Sequence, residues 1–111
     1  MHMSDYQIAA MRTCNIPFNR TDDMLRHAVF GLASEAGEVA GIFQKSYQGH
    51  PVDLEHVKKE LGDILWFVAE TCTALGFSMS DVAQMNIDKL KARFPDGFSA
   101  ERSLFRAKGD I

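Results

Sequence analysis

The sequence predicts an all-α protein, a small antiparallel bundle of four helices with a C-terminal arm, and two observations carry that expectation. Apolar residues recur at alternating three- and four-residue steps through most of the chain, and no stretch shows the period-two alternation of a half-buried strand. The 3 prolines, Pro17, Pro51 and Pro95, each fall where that periodicity breaks, and so divide the chain into helix-length pieces. At 111 residues, 46% hydrophobic and 24% charged, the chain fits one globular domain, 1-111, of which 96-111 is the arm.

The first piece, about Ser4 to Cys14, places Ile8, Ala9, Met11 and Arg12 on a short amphipathic helix, and residues 15–21 follow as a loop. Thr21 or Asp22 then caps a long helix reaching Tyr47, with Leu25, Val29, Leu32, Ala36, Val39 and Phe43 as its expected buried stripe. Gly49 and Pro51 break it. Asp53 caps a third helix whose stripe is Leu54, Val57, Leu61, Ile64 or Leu65, Val68, Cys72 and Leu75, and Gly76 ends it. Ser78 and Asp81 read as a capping box for a fourth helix through Val82, Met85, Ile87, Leu90 and Phe94, which Pro95 stops. Beyond Gly97 the arm shows no clear periodicity and is expected to order against a neighbour. Short connections make sequential helices antiparallel neighbours.

Charge and composition exclude several classes of function. A net charge of −3 and a pI near 5.7 argue against a nucleic-acid binder working through a basic surface. No apolar run approaches the roughly 20 residues of a membrane span, and the start lacks the basic and apolar regions of a secretory signal, so a cytoplasmic protein is expected. The 2 cysteines, Cys14 and Cys72, form no CxxC and are expected as thiols in a reducing compartment.

The informative feature is a repeated acidic pair. Glu35 and Glu38 lie on the second helix, Glu60 and Asp63 on the third, each pair spaced i, i+3 and therefore on one side of its helix. Glu35 and Glu60 sit on the shoulders of apolar stripes, with Val39 and Ile64 where an exposed acid would find a basic partner at i+4. The pairs also stand at matching distances from the turn, so an antiparallel hairpin brings them to one level. Four carboxylates converging there raise one another's pKa unless a cation compensates. Oxygen donors without His or Cys fit a hard ion, Mg²⁺ or Mn²⁺.

These residues carry a family resemblance. The segments SEAGEVAG (34–41) and KKELGDILWFVAE (58–70) resemble the ExxE and ExxD halves of the MazG-like nucleoside triphosphate pyrophosphohydrolases, an all-α superfamily. NIDKLKARFPDGF (86–98) resembles that family's fourth-helix segment and DYQIAAMRT (5–13) the start of its small members, so the likeness runs from about Asp5 to Arg106. It implies Mg²⁺-dependent hydrolysis of a nucleoside triphosphate to monophosphate and pyrophosphate. Glu35, Glu38, Glu60 and Asp63 would hold the metal, Glu38 or Glu35 would take the proton of the attacking water, and Asn86, Lys89 and Arg93 would face phosphate. The small size of the chain and its apolar residues beyond one stripe per helix predict a homodimer or homotetramer, as in similar proteins of the family, with Arg102 or Lys108 of the arm approaching a neighbour's nucleotide.

Plainer roles are expected elsewhere. Trp66 lies away from the acids' side of its helix and serves a bundle or subunit contact, His27 and His50 are cap or surface residues, and Phe94 and Phe98 pack the arm. Two rival readings share the sequence: a phosphoribosyl-ATP pyrophosphohydrolase, whose superfamily has the same helical acids, and a non-catalytic helical interaction module. A ferritin-like di-iron protein is excluded, because three residues after Glu35 and Glu60 come Glu38 and Asp63 rather than histidines.

Overall fold

A computed structural model describes all residues, 1–111, and its regular elements are all helices, with no strand. The helices are α1 (Met3–Met11), α2 (Thr21–Tyr47), α3 (Leu54–Leu75), α4 (Met79–Arg93) and α5 (Ala100–Leu104). They fall into two compact units, Met1–Met79 and Ser80–Ile111. No helix is long and apolar enough to cross a membrane.

The first unit is built on the α2–α3 hairpin. Gly49, at φ 101°, takes the chain out of α2 through a backbone conformation that side-chain-bearing residues rarely adopt. Asp53 starts α3 as expected, its Oδ1 accepting from the backbone N–H of Glu55 at 3.0 Å and of His56 at 3.3 Å. At the other end Gly76, at φ 75°, lets the Phe77 N–H reach back to the Cys72 carbonyl at 2.7 Å, closing the helix with a Schellman bond.

Helix α1 packs on α3. Ala10, Met11, Ala69, Cys72 and Met79 form its buried core, with Tyr6, Cys14, Trp66 and Val68 packed around them. Gln7 ties three elements together: its Nε2 donates to Thr73 Oγ1 (3.1 Å) and the Phe77 carbonyl (2.9 Å), while its Oε1 accepts from the Met79 N–H (2.8 Å). Trp66 Nε1 donates to the Ala10 carbonyl at 3.0 Å and Thr13 Oγ1 at 2.8 Å, so this indole joins α3 to the end of α1. Both cysteines are free thiols, Cys72 buried and Cys14 half-buried.

Several expectations need correction. Helix α1 stops at Met11, where Thr13 Oγ1 donates back to the Ala10 carbonyl (2.9 Å) and the chain turns. Neither Thr21 nor Asp22 caps α2. The residue before the helix is Arg20, which offers no side-chain cap and pairs with Asp23 at 2.5 Å. The buried line of α2 is Met24 and Ala28, continuing to half-buried Gly31 and Glu35, while Val29 and Phe43 of the expected stripe are exposed. On α3 the exposed residues include Leu54, Leu61, Leu65 and Leu75, and the buried ones are Ala69, Glu70 and Cys72.

The second unit holds α4 from Ser80 onward and the arm. The arm is not free of regular structure: α5 forms where Ser99 Oγ accepts from the Arg102 N–H at 3.3 Å. Arg93 pairs in a bidentate fork with Asp110, Nε to Oδ2 at 2.8 Å and Nη2 to Oδ1 at 2.6 Å, which fastens the chain end to α4. Phe94 and Phe98 pack as a tilted ring pair at 5.3 Å.

Candidate metal and nucleotide site

Glu35 on α2 meets Glu60 and Asp63 on α3. One carboxylate oxygen from each lies within 4.8 Å of the others, Glu35 and Glu60 half-buried and Asp63 exposed. The cause is the hairpin: Glu35 continues the buried line of α2, so it enters the helix interface, and the i, i+3 pair on α3 faces it. The result is electrostatically costly. A hydrogen bond with Glu60, then burial, then the charges of Glu60, Asp63 and Glu38 push the Glu35 carboxyl up to about 7. His56 steadies Glu60 from one turn earlier, Nε2 to Oε1 at 3.1 Å. Tyr6 is also pushed up, by burial first and by Asp63 second.

Glu38 stands apart from the trio. It is exposed and lines a groove of about 530 Å³ nearer the hairpin turn, together with Ser34, Lys45, His50 and His56. Its charge acts on Glu35, but its carboxylate is not among the three that converge.

A second cavity, about 380 Å³, opens beside the acids and is lined by Thr13, Glu35, Asp63, Trp66 and Phe67. Here the structure corrects the sequence reading of Trp66. Three residues after Asp63 is only about 60° around a helix, so Trp66 lies on the acids' side while also making the bundle contact to α1. The rings of Trp66 and Phe67 meet edge to face at 5.1 Å and give the cavity an aromatic wall. Phe67 lies over Gly31, where a Cβ would overlap its ring.

The sequence reading missed Glu70 and gave His27 only a cap or surface role. Glu70 is fully buried, and both its oxygens accept from His27 Nδ1, at 2.7 and 2.9 Å. Its signal in the sequence was an acid inside the apolar run WFVAETC, one heptad after Asp63 and so on nearly the same face.

Asn86, Lys89 and Arg93 belong to the second unit. Lys89 and Arg93 line a cavity of about 350 Å³ with Arg102, Phe105, Arg106 and Asp110, whereas exposed Asn86 does not border it. Arg93 is engaged by Asp110. That bond raises the guanidinium pKa and lowers that of the Asp110 carboxyl, with Arg106 and Lys89 adding to the latter.

Comparison with known proteins sets this geometry in context. The MazG nucleotide pyrophosphohydrolase domain matches residues 25–98, a span that holds Glu35, Glu38, Glu60, Asp63 and Glu70 together with His27, Trp66 and Phe67. The gene 37 protein of Mycobacterium phage L5 is 31% identical over 118 residues, covering 99% of this chain and 98% of its own length. No solved structure matches.

Proposed function

This chain belongs to the MazG nucleotide pyrophosphohydrolase domain family, and on that premise we propose that it hydrolyses a nucleoside triphosphate between the α and β phosphates, releasing nucleoside monophosphate and pyrophosphate. The observation that carries the reading is the meeting of Glu35, Glu60 and Asp63 within 4.8 Å beside an aromatic-walled cavity. Three carboxylates and no nitrogen or sulfur in the trio make a donor set suited to a hard divalent cation, Mg²⁺ with Mn²⁺ as substitute. Such an ion, when bound, neutralises phosphate charge and makes water more acidic.

The chain's own residues do the rest. Glu35, Glu60 and Asp63 would hold the cation, and His56 hydrogen-bonds Glu60 from one turn earlier. Glu38, whose charge reaches Glu35 from outside the trio, completes the ligand set or accepts the proton of the attacking water. The water oxygen forms a bond to the α phosphorus, the bond from that phosphorus to the bridging oxygen breaks, and pyrophosphate leaves with the bridging oxygen. Thr13, Trp66 and Phe67 border the space open to the nucleoside. We assign phosphate binding to Asn86, Lys89 and Arg93; the basic lining that Lys89 shares with Arg102 and Arg106 supports this for Lys89, and phosphate would take Arg93 from Asp110. The free thiols agree with a reducing, cytoplasmic setting.

A panel of ribo- and deoxyribonucleoside triphosphates, assayed for monophosphate and pyrophosphate in Mg²⁺ and again in chelator, tests this. Equal amounts of both products, abolished by chelator, are expected. Release of inorganic phosphate alone, or no product from any nucleotide, would refute the reaction.

A further inference from the structure

The pair His27–Glu70 has no part in the chemistry above. Glu70 is fully buried near the C-terminal end of α3, where an apolar side chain would pack without the desolvation cost of a carboxyl group. Its oxygens are taken by His27 Nδ1, with the Cys14 thiol adding a contact to Oε2 at 3.4 Å. This fixes Nδ1 as the inward nitrogen of the imidazole. Nε2, across the ring, has no partner in the chain, and 48% of the side chain remains exposed. Glu70 therefore works as an orienting group for a half-exposed imidazole.

The neighbours of that imidazole give it a direction. Its ring packs against Trp66 at 6.1 Å and Phe67 at 5.6 Å, the two residues that wall the cavity beside Glu35 and Asp63. On α2, His27 precedes Glu35 by two turns, about 12 Å along the axis, and Glu70 follows Asp63 on α3 by nearly the same rise. Gly31 lies midway, and the Phe67 ring packs over it, so the aromatic wall stands between the acids and the imidazole. The hairpin thus presents, in order, a cluster of acids suited to a cation-bound polyphosphate, an aromatic wall, and one oriented polar atom. A nucleotide has the same order: phosphates, a flat ring that stacks, and a hydrogen-bonding edge.

We propose that His27, held by Glu70, hydrogen-bonds through Nε2 to the edge of the nucleobase and sets which base the site prefers. This rests on the nucleotide reading above and adds a specificity-determining residue to it. Phosphate is not the partner the register favours, because the acids lie two turns away.

The test uses the whole protein with nitrogen-labelled histidine, Mg²⁺, and nucleoside monophosphates of each base, which bind without turnover. The single tryptophan, Trp66, reports binding by fluorescence, and imidazole nitrogen NMR reports the contact. Preferred monophosphates should quench Trp66 and shift His27 Nε2, leaving Nδ1 near its unbound position, while pyrophosphate alone should leave Nε2 unmoved. His27→Asn keeps an N–H for Glu70 and deletes Nε2. It should compress the spread of affinities among the bases by roughly tenfold, the scale of one hydrogen bond, with melting temperature retained. An Nε2 shift with pyrophosphate but not with monophosphates would overturn the proposal, as would an unchanged base ranking in His27→Asn or a wild-type protein that binds no monophosphate. Base-dependent Nε2 shifts in a protein that releases no pyrophosphate from any triphosphate would refute the hydrolase reading and support the His27 contact.

Discussion

Without a cation, Glu35 shares its hydrogen bond with Glu60 and is held near neutral pH by its neighbours. A carboxyl whose folded pKa stands at about 7, against an ordinary 4.5, favours the fold while it is protonated. Its contribution is complete below the ordinary value and is lost as pH rises through about 7. The metal-free protein should therefore lose melting temperature between about pH 5 and pH 8, and Glu35→Gln should flatten that slope. An equal slope in both proteins would show that the repulsion lies elsewhere. In the presence of Mg²⁺, Glu60→Gln and Asp63→Asn should each lower kcat/KM by about 10²–10³-fold, the scale of removing one preorganised electrostatic contact. Activity within about threefold of wild type in both would contradict the ligand assignment.

At the scale of the helices, the acids were legible and the packing phase was less so. The i, i+3 pairs and their equal distance from the turn are enough to place Glu35 opposite Glu60 and Asp63. The phase failed because small residues decide it. The line Met24, Ala28, Gly31 and Glu35 reads as weakly apolar beside Val29, Phe30 and Phe43, yet small residues let two backbones approach, and the larger side chains face outward. The same shift explains why Glu38, about 60° around the helix from Glu35, is exposed and leaves the interface. Gly31 marks the tightest point of this packing. Gly31→Ala would drive a methyl group into the Phe67 ring and should cost about 1–3 kcal/mol. Gly37→Ala, where nothing lies within 4 Å of the new Cβ, should be tolerated or stabilise by up to about 1 kcal/mol. Chemical denaturation of the two variants checks the contrast, and equal stabilities would show that α2 and α3 do not approach closely at Gly31.

At the scale of the molecule, the apolar surface left exposed is large for so small a core. Val29, Phe30 and Phe43 on α2 and Leu61 and Leu65 on α3 are all exposed, Phe30 at 71%, while the fully buried hydrophobics are only Met24, Ala28, Ala69 and Met79. A short chain offsets its folding entropy with little margin, and a second copy covering these faces would remove the wet apolar area. We propose a homodimer or homotetramer on this ground. Sedimentation at micromolar concentration should find no folded monomer, and Phe30→Glu should dissociate or unfold the assembly; a folded, active monomer would refute the proposal.

The central claim is that one carboxylate cluster on a helical hairpin serves the cleavage of a nucleotide at its α phosphate. Phosphorus NMR of a single reaction run in ¹⁸O-labelled water tests it most directly, because product identity and the site of bond cleavage are read together. The account predicts nucleoside monophosphate and pyrophosphate in equal amounts, the label only in the monophosphate, and no reaction in chelator or with Glu60→Gln. Label in pyrophosphate or inorganic phosphate, or an undiminished rate in Glu60→Gln, would contradict it.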